Sequence, residues 1–445
     1  MCSIIGYKGQ LDAAPLLVNS PGRMEHRGYD SVGIATINDG KFILKKGVGK
    51  VAEVNMKLDL GRLQGDTGIG HTRWATHCSV TNTNAHPHYG CTDSIAIVHN
   101  GIIKNHKELR EELISIGHMF KSDTDSEVIA HLLEKYYVDQ KNIKKVVIDT
   151  CKRLEGDYAF VAVFEDGTIC GSRYNEPLII GSVDTRHFIS SDILGFLEYT
   201  HKAIYLENRD TVILNSKAFQ IFDIEGNPVN SPVTQVAWEL ASLDNGIYAH
   251  DTLKEIHEQP VIVEKAGTQN SDRVKEFCNI VRSSRTVFLT GSGRSYHCAL
   301  IAKHLLSNFA KIHAETMVSS EFQYTLDGID NTSVLLAISQ SGKTADVLQA
   351  VKAAKHMGAR ILSIVNIPTS SLARISDCFL LIESGPEVGV VATKSFTDRL
   401  YNGCPGFEAD KILSKSFPFR FWHIIWLLQR MQIRIIHAIL LNQLL

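Results

Sequence analysis

Two kinds of hydrophobic pattern meet near residue 265 of this chain, and together they limit what it can fold into. Up to about residue 235, short apolar stretches such as Ile95–Val98, Ala159–Phe164 and Thr211–Leu214 are separated by turn signals, among them Asp39-Gly40, Asp166-Gly167 and Glu225-Gly226-Asn227-Pro228. That punctuation predicts a β-rich half with few helices. One helix is expected over Lys104–Ile116, stopping at Gly117. Another is expected behind Thr124-Asp125-Ser126-Glu127, which has capping-box spacing and places Asp125 in the first helical turn; Val128, Ile129, Leu132 and Leu133 line one face. Beyond residue 265, expected strands at Thr286–Thr290, Ser333–Ile338, Arg360–Val365 and Cys378–Ile382 alternate with helices running through Leu305 and Lys355. Strand alternating with helix implies a doubly wound parallel α/β domain. The reading is an α/β multidomain chain.

The 445 residues suit two or three domains. With 44% hydrophobic and 21% charged residues and a net charge of -2, nothing in the balance favours a nucleic-acid or membrane partner. Nine scattered cysteines, without CxxC or short Cys/His spacing, point to free thiols in a reducing cytoplasm and to no metal site. No apolar run nears the roughly 20 residues of a membrane span, and no signal peptide is expected.

Cys2 follows the initiator Met1. With Met1 removed, one residue carries a thiol nucleophile and an α-amine whose pKa of about 7.7–8.0 suits it to take the thiol proton. His71-Thr72-Arg73-Trp74-Ala75-Thr76-His77 reads as a loop that binds a carboxylate bidentately through Arg73, or as an exposed basic turn. His99-Asn100-Gly101 ends an apolar strand, where an amide and a glycine N–H form an oxyanion hole; Asn-Gly is equally the signal of a type I′ hairpin. Asp125 is placed to hold an ammonium group or to complement a helix dipole. Ser339-Gln340-Ser341-Gly342-Lys343-Thr344, between strand and helix, suits a phosphate. Ala337 breaks the P-loop pattern and Tyr296 breaks the dinucleotide pattern after Gly291-Ser292-Gly293, so two serine-rich loops favour a sugar phosphate.

In order and spacing, Cys2, Glu25–Ser31, His71–His77, Asn84–His88, Val98–Ile102 and Thr124–Glu127 resemble the glutaminase domain of the glutamine–fructose-6-phosphate aminotransferase (isomerizing) family. Lys254–Pro260 resembles that family's connector, and Ser339–Thr344 with Gly389–Lys394 its first sugar isomerase domain. The resemblance implies an N-terminal-nucleophile αββα domain over 1–239, a connector over 240–265, a sugar isomerase domain over 266–405 and a divergent tail over 406–445. It implies Cys2 as nucleophile and Asn100 with the Gly101 N–H as oxyanion hole. Arg73, Trp74, Thr76, His77, His86 and Asp125 would hold glutamine. Ser295, Ser339, Gln340, Ser341 and Thr344 would hold the sugar phosphate of fructose 6-phosphate. No cofactor is implied, and the expected partner is a second copy, in a homodimer through the sugar isomerase domain.

Ser3, Cys78, Ser292, Arg294 and Lys343 depart from the residues the family usually carries there. The pattern is lost after about Thr397, and no acidic residue follows Asp410, as expected of a truncated or frame-altered end without the second sugar isomerase domain. Two other readings stand beside full synthesis of glucosamine 6-phosphate: glutamine hydrolysis alone, and a non-catalytic sugar-phosphate-binding remnant. A purine-pathway amidotransferase would need an acidic, Thr-rich phosphoribosyl-pyrophosphate loop, and no such loop is found.

Overall fold

The computed structural model describes residues 2–75, 78–215, 218–236, 271–368 and 370–382, with 248, 251, 253–258, 384 and 385. The chain divides into two compact units, Met1–Gly246 and Ile247–Leu445.

In the first unit β1 (Ser3–Lys8), α1 (Ala13–Arg23), β2 (Ser31–Asn38), β3 (Lys41–Val48), α2 (Val51–Leu58), β4 (Thr67–Arg73), β5 (His88–Tyr89) and β6 (Ile95–Ile103) come first. Then follow α3 (His106–Ser115), α4 (Glu127–Gln140), α5 (Ile143–Arg153), β7 (Gly156–Phe164), β8 (Ile169–Tyr174), β9 (Ile179–Val183) and β10 (Arg186–Ser190). The last strands are β11 (Lys202–Tyr205), β12 (Thr211–Leu214), β13 (Phe219–Phe222) and β14 (Thr234–Gln235). They form an eight-stranded sheet in the order β14-β11-β9-β10-β1-β4-β2-β3 and a six-stranded sheet in the order β13-β12-β8-β7-β6-β5.

The side-chain period of two along a strand explains why these sheets stack. Ile4, Ala35, Ile37 and Ile69 of the first sheet pack with Ala96, Val98, Val161 and Val163 of the second, making a core between them. Their neighbours in sequence face outward: Ile5 and Ile34 meet Leu17 of α1, while Ile97 and Phe160 meet Ile129 and Leu133 of α4. Both sheets are therefore apolar on both faces, and the unit is a four-layer αββα sandwich. Gly117, at φ +98°, lies just past α3, where the chain needs a left-handed residue.

In the second unit the described helices are α6 (Ser271–Ser283), α7 (Arg294–Leu305), α8 (Ala345–His356) and α9 (Ser371–Ile375). The strands are β15 (Thr286–Gly291), β16 (Ala314–Val318), β17 (Ser333–Ser339), β18 (Arg360–Val365) and β19 (Cys378–Leu381). They form a parallel sheet in the order β16-β15-β17-β18-β19, with apolar clusters on both faces: Phe277 and Ala299 on one, Val347 and Leu372 on the other. This is the expected doubly wound domain. Gln259–Pro260 of the connector motif, Gly389–Lys394 and the tail over 406–445 lie outside the described residues.

Three local expectations are corrected. The strand carrying Ile95–Val98 does not end there: β6 continues to Ile103 with Gly101 opposite Tyr158, so Asn100-Gly101 is not a hairpin turn. The helix behind Thr124 begins at Glu127, leaving Asp125 before its N-cap, Ser126. There is no capping box, because the Glu127 carboxylate accepts from Lys121 N and Ser122 N instead.

Candidate active site

Cys2 immediately precedes β1, whose neighbour β4 pairs Ser3 with Thr72 and so brings Arg73 and Trp74 beside Cys2. The Trp74 N–H donates to Cys2 Sγ at 3.2 Å. Burial pushes the Cys2 thiol up, opposed by that N–H and by the charges of Arg73 and Arg27. The resting group is a thiol, and a thiol must lose its proton to a base before it can act as a nucleophile. Arg73 is not part of an exposed turn: it closes β4, is buried, and donates from Nη1 to Ser79 O at 3.3 Å. Trp74 is partly exposed and meets Tyr29 edge-on at 5.3 Å.

Asn100 Nδ2 donates to Cys2 O at 3.1 Å. An Asn amide has two N–H groups, so the second remains for an oxyanion. His71 sets the orientation. Its Nε2 lies 3.1 Å from both Asn100 Oδ1 and His99 O, two acceptors, so Nε2 carries the proton and Nδ1 is bare. Burial keeps this ring neutral by lowering its pKa to about 3. His86 stacks on His71 at 4.1 Å and accepts the His99 N–H at Nδ1, 3.3 Å away. Gly101 has φ +116°, and a Cβ there would sit 2.0 Å from Asp157 O, so only glycine lets β6 pass. Asp125 is tied to the same strand, its Oδ2 accepting Ile103 N at 2.7 Å. The structure thus gathers Cys2, Arg73, Trp74 and Asn100 where β1, β4 and β6 meet, with His86 behind Asn100 against His71 and His99, and Asp125 at the Ile103 end of β6. Thr76 and His77 lie outside the described residues.

In the second unit, Ser339 ends β17 and its buried Oγ accepts Gly342 N at 3.1 Å and lies 3.4 Å from Thr344 Oγ1. Gly342 takes φ +61°, and a Cβ there would meet Ser370 Oγ at 2.1 Å. Ser341 Oγ accepts Lys343 N at 3.2 Å, and Gln340 O accepts Asn366 N at 3.1 Å. Thr344 is the N-cap of α8, so the loop delivers its polar groups to a helix N-terminus, the geometry that favours an anion. Ser295 stands in the first turn of α7 rather than in the loop before it. Among the described residues the Ser292 hydroxyl is buried without a hydrogen-bond partner.

Residues 71–197 match the glutamine amidotransferase domain and residues 280–402 the SIS domain. The glutamine–fructose-6-phosphate aminotransferase [isomerizing] of Pyrococcus horikoshii is 43% identical over 404 residues, a span covering 90% of this chain and 68% of that one. That of Methanococcus maripaludis is 42% identical over 411 residues, with 90% and 68% covered. The chain belongs to the glutamine–fructose-6-phosphate aminotransferase family. Its members are enzymes, and so is this chain.

Two of the residues that depart from the family's usual ones have clear structural consequences. Ser3 is accommodated: its buried Oγ donates to Met24 O at 3.1 Å. Cys78 sits at φ +66°, a conformation that favours glycine.

Three contributors escaped the sequence reading. His71 acts through Asn100, 29 residues away. Gly28 is needed because a Cβ would lie 2.8 Å from the backbone of Arg73 and Trp74. Lys46 donates to Ala85 O and Pro87 O at 2.6 and 3.0 Å, fixing the loop that carries His86, and burial lowers its pKa to about 8. Their only sequence signal was membership of quoted motifs for His71 and Gly28; Lys46 had none.

Proposed function

We propose that the chain releases ammonia from glutamine at Cys2 and transfers it to fructose 6-phosphate, giving glucosamine 6-phosphate. The α-amine of Cys2, exposed by loss of Met1, takes the thiol proton. The thiolate attacks the glutamine amide carbon, and the oxyanion is met by Asn100 Nδ2 and the Gly101 N–H. The C–N bond then breaks, ammonia leaves, and water cleaves the Cys2 thioester to glutamate. Arg73 pairs with the substrate carboxylate and Asp125 with its ammonium, while Trp74, Thr76, His77 and His86 line the pocket. Ser295, Ser339, Gln340, Ser341 and Thr344 hold the sugar phosphate at the N-terminal end of α8.

The observation that carries this reading is the hydrogen bond from Asn100 Nδ2 to Cys2 O, which holds an oxyanion donor against the nucleophile. A reducing compartment is supported by the eight described cysteines, none of which is in a disulfide. The test is glutamate and glucosamine 6-phosphate formation by purified chain and by Cys2→Ala, with intact mass reporting Met1 removal. Wild type should release glutamate and Cys2→Ala none, while still binding fructose 6-phosphate, and glucosamine 6-phosphate formation by wild type alone separates full synthesis from glutamine hydrolysis alone. Glutamate release by Cys2→Ala at near wild-type rate would overturn the thioester route.

A further inference from the structure

Away from Cys2 and Asn100, four side chains converge without serving glutamine. Cys91 from the β5–β6 turn, His118 from the segment after α3, and His131 and Glu134 from α4 present one ligand atom each, all within 4.8 Å of one another. Cys91 Sγ lies 3.6 Å from His118 Nδ1 and 3.6 Å from His131 Nδ1. The two ring nitrogens are 3.1 Å apart, and Glu134 Oε2 is 3.4 Å from the first and 3.8 Å from the second.

These separations are five of the six edges of a small tetrahedron, and the sixth, between Cys91 and Glu134, is within 4.8 Å. With zinc bonds of about 2.0–2.3 Å to nitrogen, oxygen and sulfur, tetrahedral ligands lie about 3.3–3.7 Å apart. Hydrogen bonding explains the cluster less completely. A single proton satisfies one edge between two lone pairs, whereas a cation at the centre satisfies every edge at once.

The surroundings match those of a metal site. His131 turns its other nitrogen, Nε2, towards Glu127 Oε1 at 3.5 Å, the carboxylate contact that orients metal-bound imidazoles. Cys91 Sγ accepts the Met119 N–H at 3.2 Å, which fixes the sulfur in place. Glu134 is anchored by Cys91 N at 2.7 Å on Oε2, and by Thr92 N and Thr92 Oγ1 at 2.7 and 2.6 Å on Oε1. One of its four lone-pair sites is left, on Oε2. His131 and Glu134 are buried, while Cys91 and His118 are reached from solvent.

We propose that Cys91, His118, His131 and Glu134 bind one divalent transition-metal ion, zinc before the harder magnesium or calcium. One thiolate and two imidazoles select a borderline ion over hard cations. Four protein ligands close the coordination sphere, so the role is structural. The site pins the 118–127 segment: Glu127, which orients His131, also accepts Lys121 N and Ser122 N, two residues before the stretch that carries Asp125. The metal would therefore hold the ammonium-binding end of the glutamine pocket in place.

The test uses the full chain carrying Cys2→Ala, so that the outcome is independent of glutamine chemistry, purified without a metal-binding tag from zinc-supplemented cells. Elemental analysis should find about one zinc per chain. After chelation, cobalt(II) should restore a near-ultraviolet thiolate-to-cobalt band that Cys91→Ser abolishes and Cys78→Ser keeps. Zinc at about 100 times its dissociation constant should raise the unfolding temperature by roughly 5 °C. Should Cys91→Ser fail to fold, alkylation of the unmutated Cys91, read by peptide mass, should be blocked by zinc and restored by chelator. Zinc content no higher than the buffer's, a cobalt band that survives Cys91→Ser, or alkylation of Cys91 indifferent to zinc would each overturn the site.

Discussion

The side-chain Nδ2 of Asn100 donates to the backbone carbonyl of Cys2 at 3.1 Å across 98 residues of sequence. The bond joins β6 of one sheet, which carries Asn100, to the residue that immediately precedes β1 of the other.

Asn100→Ala should slow glutamine hydrolysis by about 10²–10³, the usual cost of one oxyanion donor. The loss should fall on kcat more than KM, because the contact strengthens in the transition state. Steady-state kinetics checks this, and a pure KM effect would move Asn100 into the ground-state pocket.

Arg73→Lys should raise the glutamine KM by roughly tenfold, since a point charge does not replace a bidentate fork. The buried Nη1 bond to Ser79 O adds to the cost, because a shorter ammonium cannot keep both partners. An unchanged KM would place the carboxylate site elsewhere.

Cys78→Gly should stabilise the first unit by roughly 0.5–1 kcal/mol, the left-handed penalty of an L-residue less the entropy that glycine adds to the unfolded chain. Cys78→Ala keeps the Cβ and should not help. Urea midpoints of the three proteins decide. A destabilised glycine variant would mean that the Cys78 Sγ contact to Asp123 O at 3.4 Å outweighs the backbone term.

Stability should fall as pH drops from 7 to 5. Burial holds His71, His86, His88 and His99 below their ordinary pKa, His71 at about 3. Unfolded, each titrates near 6.5, so below that pH the unfolded chain binds more protons than the folded one. Each proton of difference costs about 1.4 kcal/mol per pH unit. In the metal-free chain His131 acts with the opposite sign: burial lowers its pKa, but Glu127 and Glu134 outweigh that and raise it. It offsets one of the four. Urea midpoints at pH 7, 6 and 5 should decline in step, and a flat series would mean the rings ionise within the fold.

Gly342→Ala should weaken fructose 6-phosphate binding without touching glutamine hydrolysis. Its φ of +61° and the 2.1 Å approach to Ser370 Oγ leave no room for a Cβ, so the Ser339–Thr344 loop must shift. Calorimetric titration checks it, and unchanged affinity would remove this loop from the sugar site.

Local periodicity sufficed to read β15, β17, β18 and β19 of the second unit and the helices that follow β15 and β17, since a parallel sheet buries continuous apolar runs such as Ser333–Ile338 and leaves polar loops between them; the edge strand β16 and the helices α6 and α9 were not read. The resemblance carried by Cys2, Arg73, Asn100 and Asp125 was legible because those residues sit in dense, unusual clusters. Tertiary structure alone decided what crosses between segments. Asn100-Gly101 reads as a hairpin until Gly101 is seen paired to Tyr158, because pairing depends on a strand more than fifty residues away. Glu127 reads as a capping residue until its carboxylate is seen on Lys121 N and Ser122 N. Lys46 has no short-range signature, His71 has only its place in the His71–His77 cluster, and the Cys91–His118–His131–Glu134 tetrahedron has only the i,i+3 pair His131 and Glu134. Their partners are separated by up to dozens of residues, and only the stacking of two sheets between helices brings them within hydrogen-bond or ligand distance.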